Sequence, residues 1–334
     1  MINIRENISL KPYHTFGMDV TTRYFAEYDS VEDLRSLLIS PILKDNIYLQ
    51  IGGGSNLLFT KDYSGIILHS RITKIDVTES DDSVILKVGA GVVWDDFVAY
   101  VVSNNWYGAE NLSYIPGEIG ASAVQNVGAY GVEAKDIIER VYAVDVETGA
   151  ERIFTKEECQ YGYRSSVFKT QLKGQYIITY VEYKLSKAPL FKLEYGNLKT
   201  IDRDGLTLQK VRDSIIEIRK QKLPEPKEIG SAGSFFINPI VGSSLFEKLQ
   251  REYPAIVSYP QSNGSVKLSA AWLIDNAGWH GKRVGGAAVY PKQCLVLINE
   301  NNAKPSDVIE LASKIKNSVF EKYGVEITPE VNYI

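Results

Sequence analysis

Glycine marks the first places where this chain suggests chemistry. The apolar run at residues 47–51 (IYLQI) leads straight into Gly52-Gly53-Gly54-Ser55-Asn56. Consecutive glycines admit positive φ and let backbone N–H groups approach a ligand with no side chain in the way. Ser55 and Asn56 add a hydroxyl and an amide, a set that suits a phosphate or pyrophosphate. The turn is not G-x-G-x-x-G and no Gly-Lys-Ser/Thr is present, so neither a Rossmann site nor a P-loop is supported. A second stretch, residues 111–131 (NLSYIPGEIGASAVQNVGAYG), is rich in small residues and amides. It is too long and too glycine-rich for a plain connector. Such a segment lays backbone flat against a large planar ligand while amides read its polar edge. Either segment alone reads as well as a tight turn or a close helix crossing. Together they fit an extended ligand with a phosphate middle and a ring end.

Four further motifs carry single reactive types. Arg164, in Tyr161-Gly162-Tyr163-Arg164-Ser165-Ser166, offers a planar fork for a carboxylate, or is a surface arginine beside aromatics. Arg219-Lys220-Gln221-Lys222 reads as cations complementing a helix C-terminus. Ser234, between Gly233 and Phe235-Phe236, is either a serine held rigidly in a partly dry pocket or an ordinary strand start. Glu330, in Pro329-Glu330-Val331, taken alone is a solvated end. His14, His69 and His280 lie far apart, and Cys159 and Cys294 are the two cysteines. With no Cys/His cluster in the sequence, no metal site is expected. Two cysteines make no disulfide framework, which fits a reducing compartment.

The elements that must position these residues follow from periodicity. Ser30-Val31-Glu32-Asp33 opens a helix with Leu34, Leu37 and Leu38 on one face. Residues 47–51, 66–68 and 84–88 read as short buried strands, and Trp94, Phe97, Val98 and Val101 as one face of an amphipathic helix. Strands resume at residues 141–146 and 176–185. A helix over 208–220 carries Val211, Ile215 and Ile218 inward, and Pro224 and Pro226 stop it at a plausible domain boundary. Beyond it, Ser244-x-x-Glu247 reads as a capping box. Ser269 opens a helix ended by Gly278, residues 294–299 form a buried strand, and a last helix runs from near Ser306 to Gly324.

The 334 residues suggest two or three folding units. Hydrophobic residues at 44% and charged residues at 23% describe a globular chain and exclude wholesale disorder. A net charge of −4 gives no reason to expect nucleic acid as a partner. No run approaches the roughly eighteen apolar residues of a membrane span, and the N-terminus lacks the apolar core of a leader. A cytoplasmic protein without membrane insertion is expected.

In order along the chain, these motifs resemble those of the UDP-N-acetylenolpyruvoylglucosamine reductase family of bacterial peptidoglycan precursor synthesis. The resemblance runs from His14-Thr15-Phe16-Gly17 through GGGSN at 52–56, IPG at 115–117, QNVGAYG at 125–131 and YGYRSS at 161–166. It continues in KLPEPK at 222–227, GSAGSFFINP at 230–239, YPQSNGSVKLSAAWLID at 259–275 and TPEV at 328–331. It implies an α+β (mixed α/β) protein: a vanillyl-alcohol-oxidase/PCMH-type FAD-binding fold with a C-terminal substrate-binding α+β domain. The implied domains are 1–70 and 71–205 for FAD and 206–334 for substrate, with the last residues, about 325–334, returning to the active site.

The implied activity is NADPH-dependent reduction of the enolpyruvyl ether of UDP-N-acetylglucosamine to UDP-N-acetylmuramate, with non-covalent FAD as cofactor and NADPH as co-substrate. Hydride passes from NADPH to FAD N5 and on to substrate C3. By carry-over, Ser234 then protonates C2, Arg164 stabilises the charge on the substrate carboxylate, and Glu330 orients that end or relays the proton. Tyr163, Lys222, Asn238 and Gln293 match substrate contacts, and Tyr195 matches the lid of the type I branch. The cofactor positions are Gly52, Gly53, Gly54, Ser55, Asn56, Ile115, Pro116, Gly117, Gly120, Ser122, Gln125, Asn126, Gly128, Tyr130 and Ile178. A monomer is expected. The alternatives are an FAD-dependent sugar or alcohol oxidase of the same fold and a nucleotide-sugar binding module, but loss of catalysis would be marked by loss of Ser234, Arg164 or Glu330, and all three are present.

Overall fold

The structure, a computed structural model, describes residues 3–334. It divides into two compact units. The first takes in the chain up to Ile8, Thr22–Gly53 and Ser64–Arg219; the second takes in Ser9–Thr21, Gly54–Tyr63 and Lys220–Ile334. The GGGSN turn is therefore cut at Gly53/Gly54.

In the first unit, a five-stranded antiparallel sheet runs in the order Glu151–Thr155, Ile138–Asp145, Tyr176–Ser186, Ser83–Gly89, Ile75–Glu79. Its central strand buries Val181, Tyr183 and Leu185. The helix Trp94–Ser103 covers that face because Trp94, Phe97, Val98 and Val101 recur at helical spacing. Phe97 stacks 4.7 Å from Tyr183. The opposite face is half wet: Lys87 lies 4.0 and 4.7 Å over the rings of Tyr142 and Tyr180. A four-stranded sheet follows the order Ile4–Ser9, Thr21–Tyr28, Tyr63–Ser70, Tyr48–Ile51. Against it the helix Val31–Leu38 buries Leu34, Leu37 and Leu38, and Ser30 caps it by accepting the Asp33 N–H.

The second unit holds the sheet Gly230–Ser234, Val296–Asn299, Ala287–Val289, Arg283–Val284. The helix Pro305–Tyr323 buries Val308, Leu311, Ala312, Ile315 and Val319, and ends on Gly324 in the left-handed region (φ 64°) as its sequence predicts. A smaller sheet joins Ile240–Val241, Val266–Leu268 and Ser258–Pro260. The tail strand Asn332–Tyr333 pairs in parallel with Leu57–Leu58.

Two expectations need correction. The helix Ser243–Glu252 has Gly242 at its N-cap and no side-chain cap, so Ser244 lies inside the first turn and the expected box does not form. The helix opened by Ser269 is α-helical only over Ala270–Ile274; it then widens into a π turn, Asp275–Trp279, kinked at Gly278 (φ 83°).

One buried ionic group ties the first unit together. His69, on the strand Tyr63–Ser70, lies 3.3 Å from Glu27 and 2.9 Å from Glu118. Burial alone would lower the imidazole's affinity for a proton, but its hydrogen bonds and charge pairing with Glu118 and Glu27 outweigh burial and raise it above 6.5. A raised folded value stabilises at low pH. That stability is complete below the unfolded value, about 6.5, and is lost as pH climbs through the folded value. Urea unfolding followed from pH 6 to pH 9 should show this loss in the parent chain and a flatter profile in His69→Gln; identical profiles would refute the charged cluster.

Candidate functional site

The two glycine-rich segments meet in the first unit. A Cβ placed on Gly53 would sit 3.2 Å from the Gly117 Cα, and one on Gly52 would sit 3.3 Å from the Ala121 Cβ and from Glu118 Oε2. Backbone thus faces backbone, a cradle that any larger side chain would fill. What aims the second segment is Tyr114, held in the left-handed region (φ 61°). Its N–H donates to Asp95 Oδ1 and its carbonyl accepts from Arg219 Nε at 3.0 Å. Asp95 is in turn clamped by both terminal nitrogens of Arg212, at 2.7 and 2.8 Å. Helices Trp94–Ser103 and Leu208–Lys222 therefore set the turn that precedes Ile115-Pro116-Gly117.

Several expected cofactor residues hold the loop's own shape. Ser122 is buried and its hydroxyl donates to the Ile119 carbonyl beside Tyr183. Gln125 Oε1 accepts from Lys169. Asn126 is fully buried at positive φ (47°); its amide donates to Glu133 and to the Gly162 carbonyl, and its Oδ1 accepts from the Lys135 N–H. Gly120 donates to the Ala90 carbonyl, and Ile178 is buried on the central strand. Ile115 and Gly117 stay half-buried and Pro116 exposed. Tyr130 meets Tyr195 edge-on, ring centroids 6.4 Å apart, and Tyr195 keeps a largely exposed side chain.

The cationic groups of this unit come from two places. Arg164 sits at φ 53° in the turn closed by mutual backbone bonds between Gly162 and Ser165. Its guanidinium donates to the Gly128 carbonyl at 3.1 Å and lies 6.0 Å over the half-exposed Tyr163 ring. Arg219 was read from the sequence as a dipole-complementing cation. Burial, joined by the nearby charge of Arg164, lowers its hold on its proton against the pull of Tyr130 and Asp95. A signal was present: Arg212 and Arg219 stand seven apart, on the helix face that also buries Val211 and Ile215.

In the second unit, Gly54 (φ 61°) presses so closely on Tyr13 and His14 that a Cβ would collide with the Tyr13 carbonyl. Ser55 is half-buried. Asn56 turns its amide to the Glu330 carbonyl at 3.2 Å, and its own carbonyl accepts from the Asn332 N–H. Ser234 ends a strand with an irregular register: Ser231 pairs with Ile298 but Ser234 with Val296, so one extra residue is absorbed at Gly233 (φ 67°). A bulge of this kind re-aims the next side chain. The following residues pair with the tail, Ile237 N–H to Thr328 and Glu330 N–H to Phe235, which sets Ser234 and Glu330 on adjoining segments. Asn238 Oδ1 accepts the Ala270 N–H, Gln293 Oε1 accepts the Leu295 N–H at 3.3 Å, and Lys222 is exposed.

The sequence shows no cluster of cysteine and histidine, but the fold brings one of each beside a carboxylate. Asp275, His280 and Cys294 converge within the second unit. Burial, followed by the charge of Asp275, pushes the Cys294 thiol up to about 12, so it stays protonated and donates to that carboxylate.

Residues 225–334 match the family described as UDP-N-acetylenolpyruvoylglucosamine reductase, C-terminal domain, and residues 24–154 match the FAD binding domain. The chain is 52% identical to the UDP-N-acetylenolpyruvoylglucosamine reductase of Bacteroides fragilis (strain YCH46), over 99% of this chain and all of that one. It is 47% identical to the reductase of the same name from Porphyromonas gingivalis (strain W83), over the full length of both. Among solved structures, UDP-N-acetylenolpyruvylglucosamine reductase from Thermus caldophilus superposes with a TM-score of 0.71 at 23% identity, over all of this chain and 99% of that one. The expected mixed α+β FAD-binding fold with its C-terminal domain is borne out.

The Gly54 contact gives a direct check. Gly264 also has positive φ (81°) but faces open space. Gly264→Ala should cost about 1 kcal/mol of backbone strain, whereas Gly54→Ala adds a backbone collision and should cost on the order of 3 kcal/mol or more. Denaturant midpoints measure both, and equal shifts would remove the close approach.

Proposed function

Since the chain belongs to the UDP-N-acetylenolpyruvoylglucosamine reductase family, we propose that it is a flavoprotein oxidoreductase that reduces the enolpyruvyl ether of UDP-N-acetylglucosamine to UDP-N-acetylmuramate with NADPH, in peptidoglycan synthesis. FAD, when bound, supplies a two-electron relay that takes hydride from NADPH and gives it to substrate C3. Gly52, Gly53, Ile115, Pro116 and Gly117 fit such a cofactor, because Gly53 and Gly117 bring backbone to backbone with no side chain between them. Gly54, Ser55, Asn56, Gly120, Gly128, Tyr130 and Ile178 complete the cofactor positions, with Ser122, Gln125 and Asn126 acting through the loop shape they hold.

Hydride at C3 leaves negative charge at C2, shared with the neighbouring carboxylate. Arg164 is the cation for that charge, and its guanidinium is already fixed by the Gly128 carbonyl. Ser234 delivers the proton to C2. A serine is a weak acid, so it acts only when held close to a strongly basic carbon. Glu330 steadies the carboxylate end or passes the proton on, its backbone tied to Phe235 and Asn56. Tyr163, Lys222, Asn238 and Gln293 contact the substrate, and Tyr195, edge-on to Tyr130, is the lid.

The observation that supports this reading best is the bulge at Gly233 beside the tail pairing, which gives Ser234 and Glu330 fixed backbones on adjoining segments. Oxidase chemistry, the alternative raised by the sequence, is less well supported by the kinship. No helix among the described residues is long and apolar enough to cross a membrane, and we assign the protein to the cytoplasm as a monomer.

The test separates the two half-reactions. Under anaerobic conditions NADPH should bleach the bound flavin, and the enolpyruvyl nucleotide sugar should restore the oxidised spectrum. Ser234→Ala should leave the bleaching rate intact and slow the return by about 10²–10⁴-fold. An equal loss in both halves would overturn the proton-donor role. A parent flavin that stays reduced after the nucleotide sugar is added would overturn the acceptor.

A further inference from the structure

Asp275, His280 and Cys294 come from two turns of the second unit, and none of the three has a role in the flavin chemistry, although Cys294 directly follows the substrate contact Gln293. In an α-helix, residues five apart diverge by about 140° around the axis. The π turn Asp275–Trp279, relaxed by Gly278 at φ 83°, cancels that divergence and brings Asp275 Oδ1 to 3.2 Å from His280 Nδ1. Cys294 arrives from the turn in which the Gln293 N–H donates to the Tyr290 carbonyl. Its Sγ lies 3.6 Å from Asp275 Oδ1 and 3.7 Å from His280 Nδ1.

A proton relay does not explain this arrangement. A Cys–His–Asp relay uses the two ring nitrogens separately, one for the thiol and one for the carboxylate. Here sulfur and carboxylate both approach Nδ1, so three donors point at one spot. Their spacings are those of a metal polyhedron: zinc bond lengths of about 2.3 Å to sulfur and about 2.0–2.2 Å to nitrogen and oxygen give tetrahedral edges of about 3.6 Å and about 3.3 Å. Cys294 is buried while Asp275 and His280 are exposed, so the fourth corner opens to water. Binding the metal releases the Cys294 thiol proton to water, and the resulting thiolate with imidazole selects zinc-like ions over magnesium or calcium, which prefer oxygen alone.

We propose that Asp275, His280 and Cys294 form a three-ligand tetrahedral site for a thiophilic divalent metal of the Zn²⁺ class, with one position left for water or an added ligand. Its three ligands are not among the residues of the flavin reading, and Gln293, which is, stands next to it in the chain.

Cobalt(II) is the probe, because a tetrahedral thiolate site gives intense visible bands at longer wavelength than oxidised flavin. Titration of the intact, reduced-thiol protein with Co²⁺ should raise these bands to one equivalent, and Zn²⁺ should abolish them. Cys294→Ser should remove the bands while Cys159→Ser keeps them. Asp275→Asn should weaken Co²⁺ binding roughly tenfold or more. A folded parent that shows no tetrahedral bands, or bands that survive in Cys294→Ser, would overturn the site.

Discussion

Backbone pairing of the last seven residues is the constraint on which the second unit depends. The Glu330 N–H bonds to Phe235, the Ile237 N–H to Thr328, the Asn332 N–H to Asn56 and the Ile334 N–H to Leu58, while the Thr60 N–H returns to Ile334. One tail therefore joins two stretches that lie far apart in sequence. A buried N–H left without its partner costs about 1–3 kcal/mol, and these bonds form or fail together. The placement of Glu330, the orientation of the Asn56 amide and the contact of Tyr333 with Phe235, 6.2 Å between ring centres, all follow from them. Ser234 depends on the same strand through its neighbour, since Phe235 is bonded on one side to Leu295 and on the other to Glu330.

Motif residues in the first unit divide between contact and scaffold. Glycines and amides suggest a ligand because both bring hydrogen-bonding groups close to it. A glycine-rich loop also has many backbone groups of its own to satisfy. Asn126 shows the second use in full: at positive φ and fully buried, its side chain bonds Glu133, Gly162 and Lys135 and holds the loop's own shape. Gly53 and Gly117 show the close approach that glycine permits, since no side chain intervenes between them.

This division explains what was legible in the sequence. Helices whose apolar residues recur at 3.6 spacing, such as Val31–Leu38, Trp94–Ser103 and Pro305–Tyr323, could be read because one buried face dictates the pattern, and Ser30 and Gly324 marked one end each of the first and last. The strands Ile4–Ser9 and Ile75–Glu79 could not, since both lie at sheet edges and are largely exposed, leaving no alternation to see. Ser234 and Arg164 were visible as residue types in telling company, but the Gly233 bulge and the Gly162–Ser165 turn that aim them are tertiary facts. Arg219 was misread because its charge suited a helix end, whereas its neighbours decide its role. The Asp275, His280 and Cys294 group stayed hidden because a wide turn and a separation of 19 positions both had to be resolved first.

The interleaving of the second unit also sets a schedule for its synthesis. Asn56 and Glu330 are 274 positions apart, so at about 5–20 residues per second the early segment waits on the order of tens of seconds for its partner. Through that interval Leu58 and Phe59, fully buried in the finished fold, have no tail to cover them. The nascent chain thus carries a short apolar stretch that the ribosome exposes early and whose strand pairing only the final residues complete. This leaves residues 54–63 open to a chaperone for nearly the whole of synthesis.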